Sequence, residues 1–523
     1  MNIRGPLASI RRQDWTKDAV LVLALLILFN IPLWFLRYLP LADYPSHLLS
    51  IQIAKEYDNP AFNFPEYFVV DWRPLPNLGS EFLILALARF MPVETAGRVY
   101  LSLFAVLFVL SVFYLLRAVD PRKTPLGLAG FFFVYNWYFN QGYLNFWGSI
   151  PLYFLTLGYW LRSPGLAAPR ERVFFALLVC ATYLFHLFSW LMVVGSIGLL
   201  VIFDRDNRRK LGGTLVAFIP SLLLFAYYFL VLQAGGSTRQ GIIFDSPLGN
   251  AAFAVTHSAI LFSKSGLLVW VLPFGLLAGL ALWANLFRRR QQSRRERSLF
   301  WLVCCLVLLY FVLPVQISAV WPFNLRVNVF AVVLALATIP VDVIVVRKKA
   351  LRFVTACLAV VVWAYVYNGY QGMSRKIETY VSGVGHIRPN STILPLTTDV
   401  SGGWATGIPL STTWAYYHIA KGGAGPYLFD LPHGQIVNYR RPKREVFPAP
   451  SLYPHRVEDY DPDRHARPYD YVILWGRHER IEQSLARDFH PIFENGPLRL
   501  YEKTRPPKAE EQIKSLPGEV RRR

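Results

Sequence analysis

The chain has few charged residues for its length. Of its 523 residues only 17% are charged, whereas a soluble globular protein carries about 25%. Hydrophobic residues make up 54% of the sequence. Apolar runs of about 17–25 residues, the length that crosses a bilayer, recur as far as residue 370. The shortage of charge therefore excludes an ordinary soluble domain and predicts a polytopic α-helical membrane protein.

Cysteine is scarce as well. All four cysteines lie inside apolar runs, and their spacing matches no metal-ligand pattern. Cysteines in such surroundings pack as small hydrophobic residues. This usage excludes a disulfide framework and a cysteine metal site; the residues are Cys180, Cys304, Cys305 and Cys357.

Acidic residues are outnumbered by basic ones. The chain has 33 Asp and Glu against 54 Lys and Arg, a net charge of +21. Such a balance could indicate nucleic-acid binding, but the basic residues cluster in short loops between apolar runs. That distribution encodes membrane topology, since Lys and Arg are retained on the cytoplasmic side. We therefore predict a lipid bilayer as partner and no nucleic acid.

The order of apolar runs and basic loops predicts the topology. Loops such as "RAVDPRK" and "RRRQQSRRER" concentrate Lys and Arg, which places them and the N-terminus inside. The first run is too long for a signal peptide and precedes no small-residue cleavage site, so we interpret it as an uncleaved span. We predict about eleven transmembrane helices, at 18–38, 97–117, 124–141, 145–162, 172–186, 188–203, 211–232, 266–287, 299–317, 327–346 and 350–369.

The segment "PNLGSEFLILALARF" (76–90) is apolar at helical spacing but carries Glu81 and Arg89. Counting it as a span would place "RAVDPRK" outside, against the charge rule. We therefore predict a helix that lies on the outer surface or dips into it.

The composition changes after residue 370. The segment 371–505 has no membrane-length run, and short β-type stretches ("STILPL", "DYVILWG", "LRLYEK") alternate with turn-rich segments. We predict a transmembrane module over 1–370, with a first extracytoplasmic loop at 39–96, and an extracytoplasmic α/β or α+β domain over 371–505. Residues 506–523 are predicted to be disordered. The predicted location is the cytoplasmic (inner) membrane.

The stretch "LPLADYPSHLLS" places an acid and a histidine just after the first span. Asp43 follows that span directly, Pro45 suits the first turn of a helix, and His47 lies four residues beyond Asp43. One interpretation is that Asp43 only caps this helix. The other is that Asp43 is a general base, because partial desolvation at the lipid–water boundary raises the pKa of a carboxylate toward neutrality.

An acid just after the first span, in a large outer loop that opens with a juxtamembrane helix, resembles the type C (GT-C) membrane glycosyltransferases. That superfamily includes oligosaccharyltransferases, protein mannosyltransferases and bacterial aminoarabinose transferases. The resemblance continues in "VETAGRVYLSLFAVLFVLSVFYLLRAVDPRK", in "YNWYFNQGYLNFWGSIPLYFLTLGYWLR" and in "WPFNLRVNVFAVVLALATIP", which is similar to the motif that opens a late span with an arginine. An outer C-terminal domain completes the layout.

The chain departs from the family pattern in two places. Many relatives carry an acid in the second outer motif, whereas this chain has Asn136, Asn140, Gln141 and Asn145 there, and Arg326 is followed by a valine rather than an aromatic residue. The missing acid weakens a two-carboxylate metal site. We assign no metal ligand and no certain cofactor, and leave open a divalent ion (Mg²⁺ or Mn²⁺) near Asp43.

The resemblance implies transfer of a sugar from a polyprenyl-phosphate carrier to a glycan, lipid or protein acceptor on the outer face. Asp43 would take the proton of the acceptor hydroxyl as it attacks the anomeric carbon from the opposite face, which implies inversion. His47 would orient Asp43 or bind the sugar. The anionic leaving group needs positive charge and hydrogen-bond donors. Arg326 could hold it through two parallel N–H bonds, although an anchor at the headgroup level is the alternative.

Further substrate-binding candidates lie in three outer segments. Most loop acids are solvated, a buried histidine can serve a backbone carbonyl, and interfacial aromatic residues form a belt, so each has a plain structural alternative. The candidates are Asp71, Arg73, His186, Asn140, Gln141, Tyr143 and Asn145.

Two other functions compete with an enzyme. A transporter or flippase of lipid-linked sugars would place ionisable residues in mid-span and show inverted repeats. Here the charges gather at span ends and in one outer loop, and we find no repeat. A non-catalytic cell-envelope assembly protein would tolerate Asp43→Asn. The sequence therefore favours a glycosyltransferase.

Overall fold

The structure, a computed structural model, is dominated by helices. It describes residues 5–234, 241–257, 262, 266–318, 320–429, 434–450 and 454–504. The predicted tail 506–523 lies outside these residues.

The helices follow one another with short connections. In chain order they are α1 Gly5–Phe35, α2 Tyr44–Lys55, α3 Phe64–Tyr67, α4 Gly79–Ala88, α5 Val93–Val119, α6 Phe131–Val134, α7 Trp137–Asn140, α8 Leu144–Arg162, α9 Pro169–Phe185, α10 Leu187–Phe203, α11 Leu211–Ala234, α12 Pro247–His257, α13 Leu267–Phe287, α14 Arg294–Val312, α15 Arg326–Ala337, α16 Val341–Val346, α17 Lys348–Val381, α18 Ala415–Lys421, α19 Lys443–Val446, α20 Pro462–His465 and α21 Glu479–Leu485. The strands are β1 Phe68–Val70, β2 Ile242–Ile243, β3 Gln316–Ile317, β4 Ile393–Thr397, β5 Val437–Tyr439, β6 Tyr471–Trp475, β7 Phe489–Asn495 and β8 Leu498–Lys503.

Four of the described helical segments are long and apolar enough to cross a membrane. They are Val93–Val119, Arg205–Val231, Leu267–Phe287 and Lys348–His386. Shorter apolar helices include Ala19–Phe35, Leu187–Phe203 and Arg326–Ala337. The prediction of a polytopic helical membrane protein is thus confirmed in this coarser form, while the number of about eleven spans stays a prediction.

The predicted span 124–141 differs from a regular helix. Its first part belongs to a 3₁₀ segment, Pro121–Gly130, and the short helices α6 and α7 follow. Two prolines in the 3₁₀ segment lack the N–H that an α-helical ladder needs. Asn136 then starts α7 by accepting a hydrogen bond from the Phe139 N–H (2.9 Å). The apolar composition of this segment reflects deep burial in the protein rather than one continuous crossing.

The segment 76–90 forms the ten-residue helix α4. At 1.5 Å per residue it is about 15 Å long, half the thickness of the hydrocarbon core. It packs on α2, α5 and α8. The helix is too short to cross a bilayer, as expected for a surface element.

The C-terminal part is built on a four-stranded mixed sheet in the order β4-β6-β8-β7. The central strand β6 pairs in parallel with β4 and antiparallel with β8. Three of the predicted β-type stretches correspond to β4, β6 and β8. The C-terminal part is also joined to the first loop, since β1 and β5 form a separate two-stranded antiparallel sheet with Phe68 opposite Tyr439.

A buried ion pair joins three loops on the side predicted to face the cytoplasm. The Lys123 ammonium lies 2.6 Å from the Glu296 carboxylate, and both side chains are buried. Lys123 also donates to the carbonyl oxygens of Ala337 (2.9 Å) and Ile339. Glu296 completes a capping box with Ser293 at the start of α14. One buried cation thus ties the 3₁₀ segment to α14 and to the end of α15.

Lys123→Ala is expected to lower the stability of the protein by about 3–5 kcal/mol, because it leaves the Glu296 carboxylate buried without its cation. The measurement is the midpoint of thermal unfolding of the purified protein in detergent. Arg122→Ala is the matched control, since the neighbouring Arg122 side chain is exposed. Equal midpoints for the two variants would contradict the importance of the buried pair.

Candidate active site

Asp43 lies in the connection between α1 and α2, directly before α2. It occupies the N-cap position of α2, yet its side chain makes no capping hydrogen bond. Its backbone N–H donates to the Gln141 carbonyl (3.0 Å), and the Ala42 N–H donates to the Asn140 carbonyl (3.0 Å). The structure therefore does not support the interpretation that Asp43 only caps the helix. Hydrogen bonds hold the backbone of Asp43, while its carboxylate makes no capping hydrogen bond.

The surroundings of Asp43 suit a general base. The residue is enclosed by protein but keeps part of its surface accessible. Burial disfavours the charged form and raises the pKa of Asp43 to about 6, while the nearby His47 acts in the opposite direction. A base with a pKa near the working pH is efficient in proton transfer.

A glycine allows this close approach of two chain segments. Gly142 has φ +72°, and a Cβ atom there would lie 2.6 Å from the Tyr44 nitrogen and 2.7 Å from the Asp43 nitrogen. Only glycine fits both the left-handed backbone and the missing space. The turn that follows Gln141 is thus shaped to receive Asp43.

His47 is held by a buried carboxylate. Its Nδ1 lies 2.8 Å from Oε1 of Glu81, which is 1% exposed. The other carboxylate oxygen of Glu81 accepts from Asn145 Nδ2 (2.7 Å) and from Ser80 Oγ (3.0 Å). Burial opposes protonation of His47, but the hydrogen bond and charge of Glu81, with Asp43, outweigh it and raise the pKa of His47.

Arg326 forms a second group at the start of α15. Its side chain is 8% exposed, its Nε donates to the Pro322 carbonyl (3.1 Å) and its Nη1 lies 3.0 Å from Nε2 of His186. The guanidinium lies over the rings of Tyr143 and Phe146, 5.8 and 5.2 Å from their centres. No ion pair joins Arg326 to a carboxylate within the part of the chain that the structure describes.

Hydrogen-bond donors exceed acceptors around Arg326. The Phe188 N–H faces Nδ1 of His186 (3.1 Å) and the Arg326 Nη1 faces its Nε2 (3.0 Å). A neutral imidazole ring has one acceptor nitrogen for these two donors. The Trp137 indole N–H and the Tyr138 hydroxyl are buried without a partner among the described residues. Tyr138 packs on the same Phe146 ring that lies under Arg326. A buried cation amid unpaired donors is suited to bind an anion.

One segment, 142–146, joins the two groups. Gly142 touches the backbone of Asp43, and Asn145 donates to Glu81. On the other side, Phe146 lies under Arg326 and against the His186 ring, 5.0 Å between centres. The backbone that carries Asp43 and the guanidinium of Arg326 thus both contact the start of α8, although the two residues are far apart in sequence.

The polar candidates of the second outer motif have mostly structural contacts. Asn140 donates to the carbonyls of Tyr135 and Asn136 and accepts from the Tyr370 hydroxyl (2.7 Å). Gln141 is buried, and its carbonyl serves the Asp43 backbone. Their predicted contact with substrate stays untested.

Asp71 and Arg73 form an ion pair with each other. Both side chains are about one-third exposed, and the Asp71 N–H donates to the Ile436 carbonyl (2.8 Å). No hydrogen bond or ion pair connects this pair to Asp43 or Arg326 in the described ranges. Their role in substrate binding stays a prediction.

The C-terminal domain also contacts the segment that carries Asp43. The Thr412 hydroxyl (2.5 Å) and the Ser411 hydroxyl (3.3 Å) both donate to the Ala42 carbonyl. The Phe429 ring lies 5.3 Å from the His47 ring. Residues from the first loop, α7–α8 and the C-terminal domain therefore meet at the peptide that carries Asp43.

No set of metal ligands is found among the residues that can be described. Groups of three or more His, Cys, Asp or Glu side chains that could hold an ion are absent there. Near Asp43, the Nδ1 atom of His47 and the Glu81 carboxylate are bound to each other. A divalent ion near Asp43 stays a prediction, and no step below uses one.

Glu81 is the site residue that our sequence reasoning missed. A single acid inside an otherwise apolar ten-residue helix was the available signal. We attributed it to a surface helix, because its partners His47 and Asn145 lie 34 and 64 positions away. A lone acid in such a helix is better interpreted as a side chain with a buried partner.

Comparison with known proteins rests on structure. No protein-family model and no curated protein matches the chain. The crystal structure of ArnT from Cupriavidus metallidurans in the apo state is similar, with 11% identity, 94% of this chain and 98% of that chain covered and a TM-score of 0.53. The apo crystal structure of the Archaeoglobus fulgidus oligosaccharyltransferase aligns with 14% identity over 87% of this chain and 69% of that chain, TM-score 0.42.

ArnT belongs to the GT-C superfamily. Its structure confirms the fold that the resemblance in the sequence implies. At 11% identity the likeness to ArnT shows a shared fold and leaves the activity of this chain to be argued from its own residues.

Gly142→Ala is expected to lower stability by about 1–3 kcal/mol, because alanine must adopt a left-handed backbone against the Asp43 nitrogen. The midpoint of thermal unfolding in detergent measures the effect. Gly165→Ala is the control, since nothing lies within 4 Å of a Cβ atom at that position. Unchanged midpoints for both variants would show that the 42–44 segment is not held by this turn.

Proposed function

We propose that the protein is a glycosyltransferase of the cytoplasmic (inner) membrane that moves a sugar from a polyprenyl-phosphate carrier to an acceptor hydroxyl on the outer face. The observation that carries this proposal is that one segment contacts both an acid and a buried cation, neither of which forms an ion pair among the described residues. The backbone of Asp43 is held by a hydrogen bond to Gln141, and its carboxylate makes no capping hydrogen bond to α2. Arg326 is a buried cation without an acidic partner among the described residues, and it contacts the same segment, 142–146.

The two groups supply what the two ends of the reaction need. The acceptor oxygen attacks the anomeric carbon and forms the new C–O bond, while its proton passes to the Asp43 carboxylate. The bond between the anomeric carbon and the phosphate oxygen breaks, and its electron pair leaves with the lipid phosphate. Asp43 then returns the proton to water. Attack opposite to the leaving group gives inversion.

The donors around Arg326 fit the leaving group. A phosphate oxygen gains charge as the bond breaks, and preorganised donors in a water-poor site stabilise it. Arg326 can bind two oxygens through its planar guanidinium, and the unpaired Trp137 and Tyr138 groups lie in the same aromatic cluster. The carrier's chain would remain in lipid while its phosphate reaches this group.

The membrane setting supports the same division of labour. By length and composition, α5 and α17 could cross a bilayer, and α1 contains the shorter apolar helix Ala19–Phe35. The helices α2 and α4 pack on each other and on α5. A lipid-borne donor and a water-borne acceptor can meet only at the boundary between bilayer and water. The acceptor's identity, whether glycan, lipid or protein, is open to experiment.

Asp43→Asn is expected to reduce transfer by about 10²–10⁴-fold, because the amide cannot accept the acceptor's proton. Purified protein is incubated with a panel of radiolabelled polyprenyl-phosphate sugars and candidate acceptors. Asp58→Asn is the control, since Asp58 is an exposed acid in the same loop. Equal turnover by Asp43→Asn and the parent would remove Asp43 as the base. Absence of turnover with every donor would favour a transporter or an assembly protein.

Arg326→Gln is expected to reduce transfer by about 10²–10³-fold, because the leaving phosphate loses its cation. Arg326→Lys should retain an intermediate rate, since it keeps the charge but loses the bidentate fork. Rates are measured in the same assay with Arg89→Gln, an exposed arginine at the end of α4, as control. If Arg326→Gln and Arg89→Gln behave alike, Arg326 is an anchor rather than a phosphate ligand.

A further inference from the structure

We propose that Glu81 is a positioning residue that keeps His47 beside Asp43 as an imidazolium cation. The inference rests on the proposed function, because it concerns the base of that reaction. Glu81 is not placed in contact with substrate. It acts on Asp43 through His47.

The carboxylate of Glu81 is built to stay ionised. It lies in the first turn of α4, where the helix dipole favours a negative charge. One oxygen binds His47 and the other accepts from Asn145 and Ser80. Burial works against ionisation, but the hydrogen bond and charge of His47 and the hydrogen bond of Asn145 lower the pKa of Glu81. A buried carboxylate with both oxygens satisfied needs a cation beside it.

His47 supplies that cation. Because an ionised carboxylate only accepts hydrogen bonds, the contact of 2.8 Å requires a proton on Nδ1. The negative charge of Glu81 then favours a second proton on the ring. The charged or titratable groups that act on His47 are Glu81 from α4 and Asp43 from its own segment.

The same histidine is the charged group that acts on Asp43. Asp43 and His47 are four residues apart, and the His47 N–H donates to the Asp43 carbonyl (3.1 Å), which places both on one turn. No other titratable neighbour of Asp43 contributes among the described residues. Burial raises the pKa of Asp43, and the positive charge of the imidazolium acts against this effect.

A role confined to structure is the alternative. Glu81 joins α4 to α2 and α8, and such a link would stabilise the fold whatever the charge of His47. The two roles differ in one respect. A structural link predicts lower stability alone, whereas a positioning role also predicts a change in the pH at which Asp43 loses its proton.

The experiment compares pH–rate profiles of kcat/KM for transfer by the parent, Glu81→Gln, Glu81→Asp and His47→Asn. In the parent, activity falls as the pH drops through the pKa of Asp43. In Glu81→Gln the ring of His47 loses its extra proton, Asp43 becomes harder to ionise and the acid limb moves to higher pH by about one unit. His47→Asn should move it by a similar amount, the double variant no further, and Glu81→Asp much less. Glu56→Gln, a loop carboxylate paired with Lys55, should leave the profile unchanged.

A second measurement does not depend on activity. Diethyl pyrocarbonate reacts with the neutral form of an imidazole ring and not with the protonated form. The pH dependence of His47 modification, followed by peptide mass spectrometry, therefore reports the protonation of His47. We expect a midpoint in the parent above the ordinary value of about 6.5, and a lower midpoint in Glu81→Gln.

The outcomes separate the two proposals. Failure of the parent to transfer any sugar would overturn the proposed function. The positioning role of Glu81 would be overturned if the parent transfers sugar, the acid limb of Glu81→Gln coincides with that of the parent, and His47 of the parent is modified with a midpoint of about 6.5. Asp43 would then remain the proposed base.

Discussion

Two backbone hydrogen bonds fix the position of Asp43, the proposed general base. The N–H groups of Ala42 and Asp43 bind successive carbonyls at the end of α7, and the Ala42 carbonyl is bound in turn by the C-terminal domain. Because hydrogen bonds from both sides hold the backbone here, the side chain of Asp43 is not needed to cap α2. The rest of the site follows from this fixed peptide, since Gly142 leaves room for it and α2 carries His47 from the same point.

The protein treats its buried charges in two different ways. Lys123 and Glu296 neutralise each other at a distance of 2.6 Å and serve the fold. Arg326 is also buried, but in the part of the chain that the structure describes it contacts aromatic faces, a histidine and a carbonyl, and no acid. Leaving a buried charge without a counter-charge costs stability. Such a cost is understandable where the missing anion arrives with the substrate.

Much of this could be predicted from the sequence, for identifiable reasons. Apolar periodicity and the distribution of basic residues report on the membrane, so α5, α17 and the tight turn at His186 between α9 and α10 follow from local patterns. Asp43 could be proposed as the base from its position after the first span, and this role stays a prediction. Glu81 could not be recognised in this way, because its meaning depends on a histidine 34 positions away. The irregular backbone over 124–141 was hidden too, since burial inside a protein and burial in lipid select similar compositions.

The helix α17 has a mechanical consequence. It continues for 34 residues from a predicted inner loop into the C-terminal domain, a length of about 51 Å. Along its length it makes two hydrogen bonds to residues near the site. The Tyr370 hydroxyl donates to Asn140 (2.7 Å), and the Ser374 hydroxyl accepts from the Tyr38 N–H (3.2 Å). A bilayer that is thinner or thicker than the apolar part of this rod changes its tilt. Such a tilt would displace Asn140 and Tyr38, and with them the backbone that holds Asp43. The rate of the proposed transfer would then vary with the acyl-chain length of the surrounding lipids.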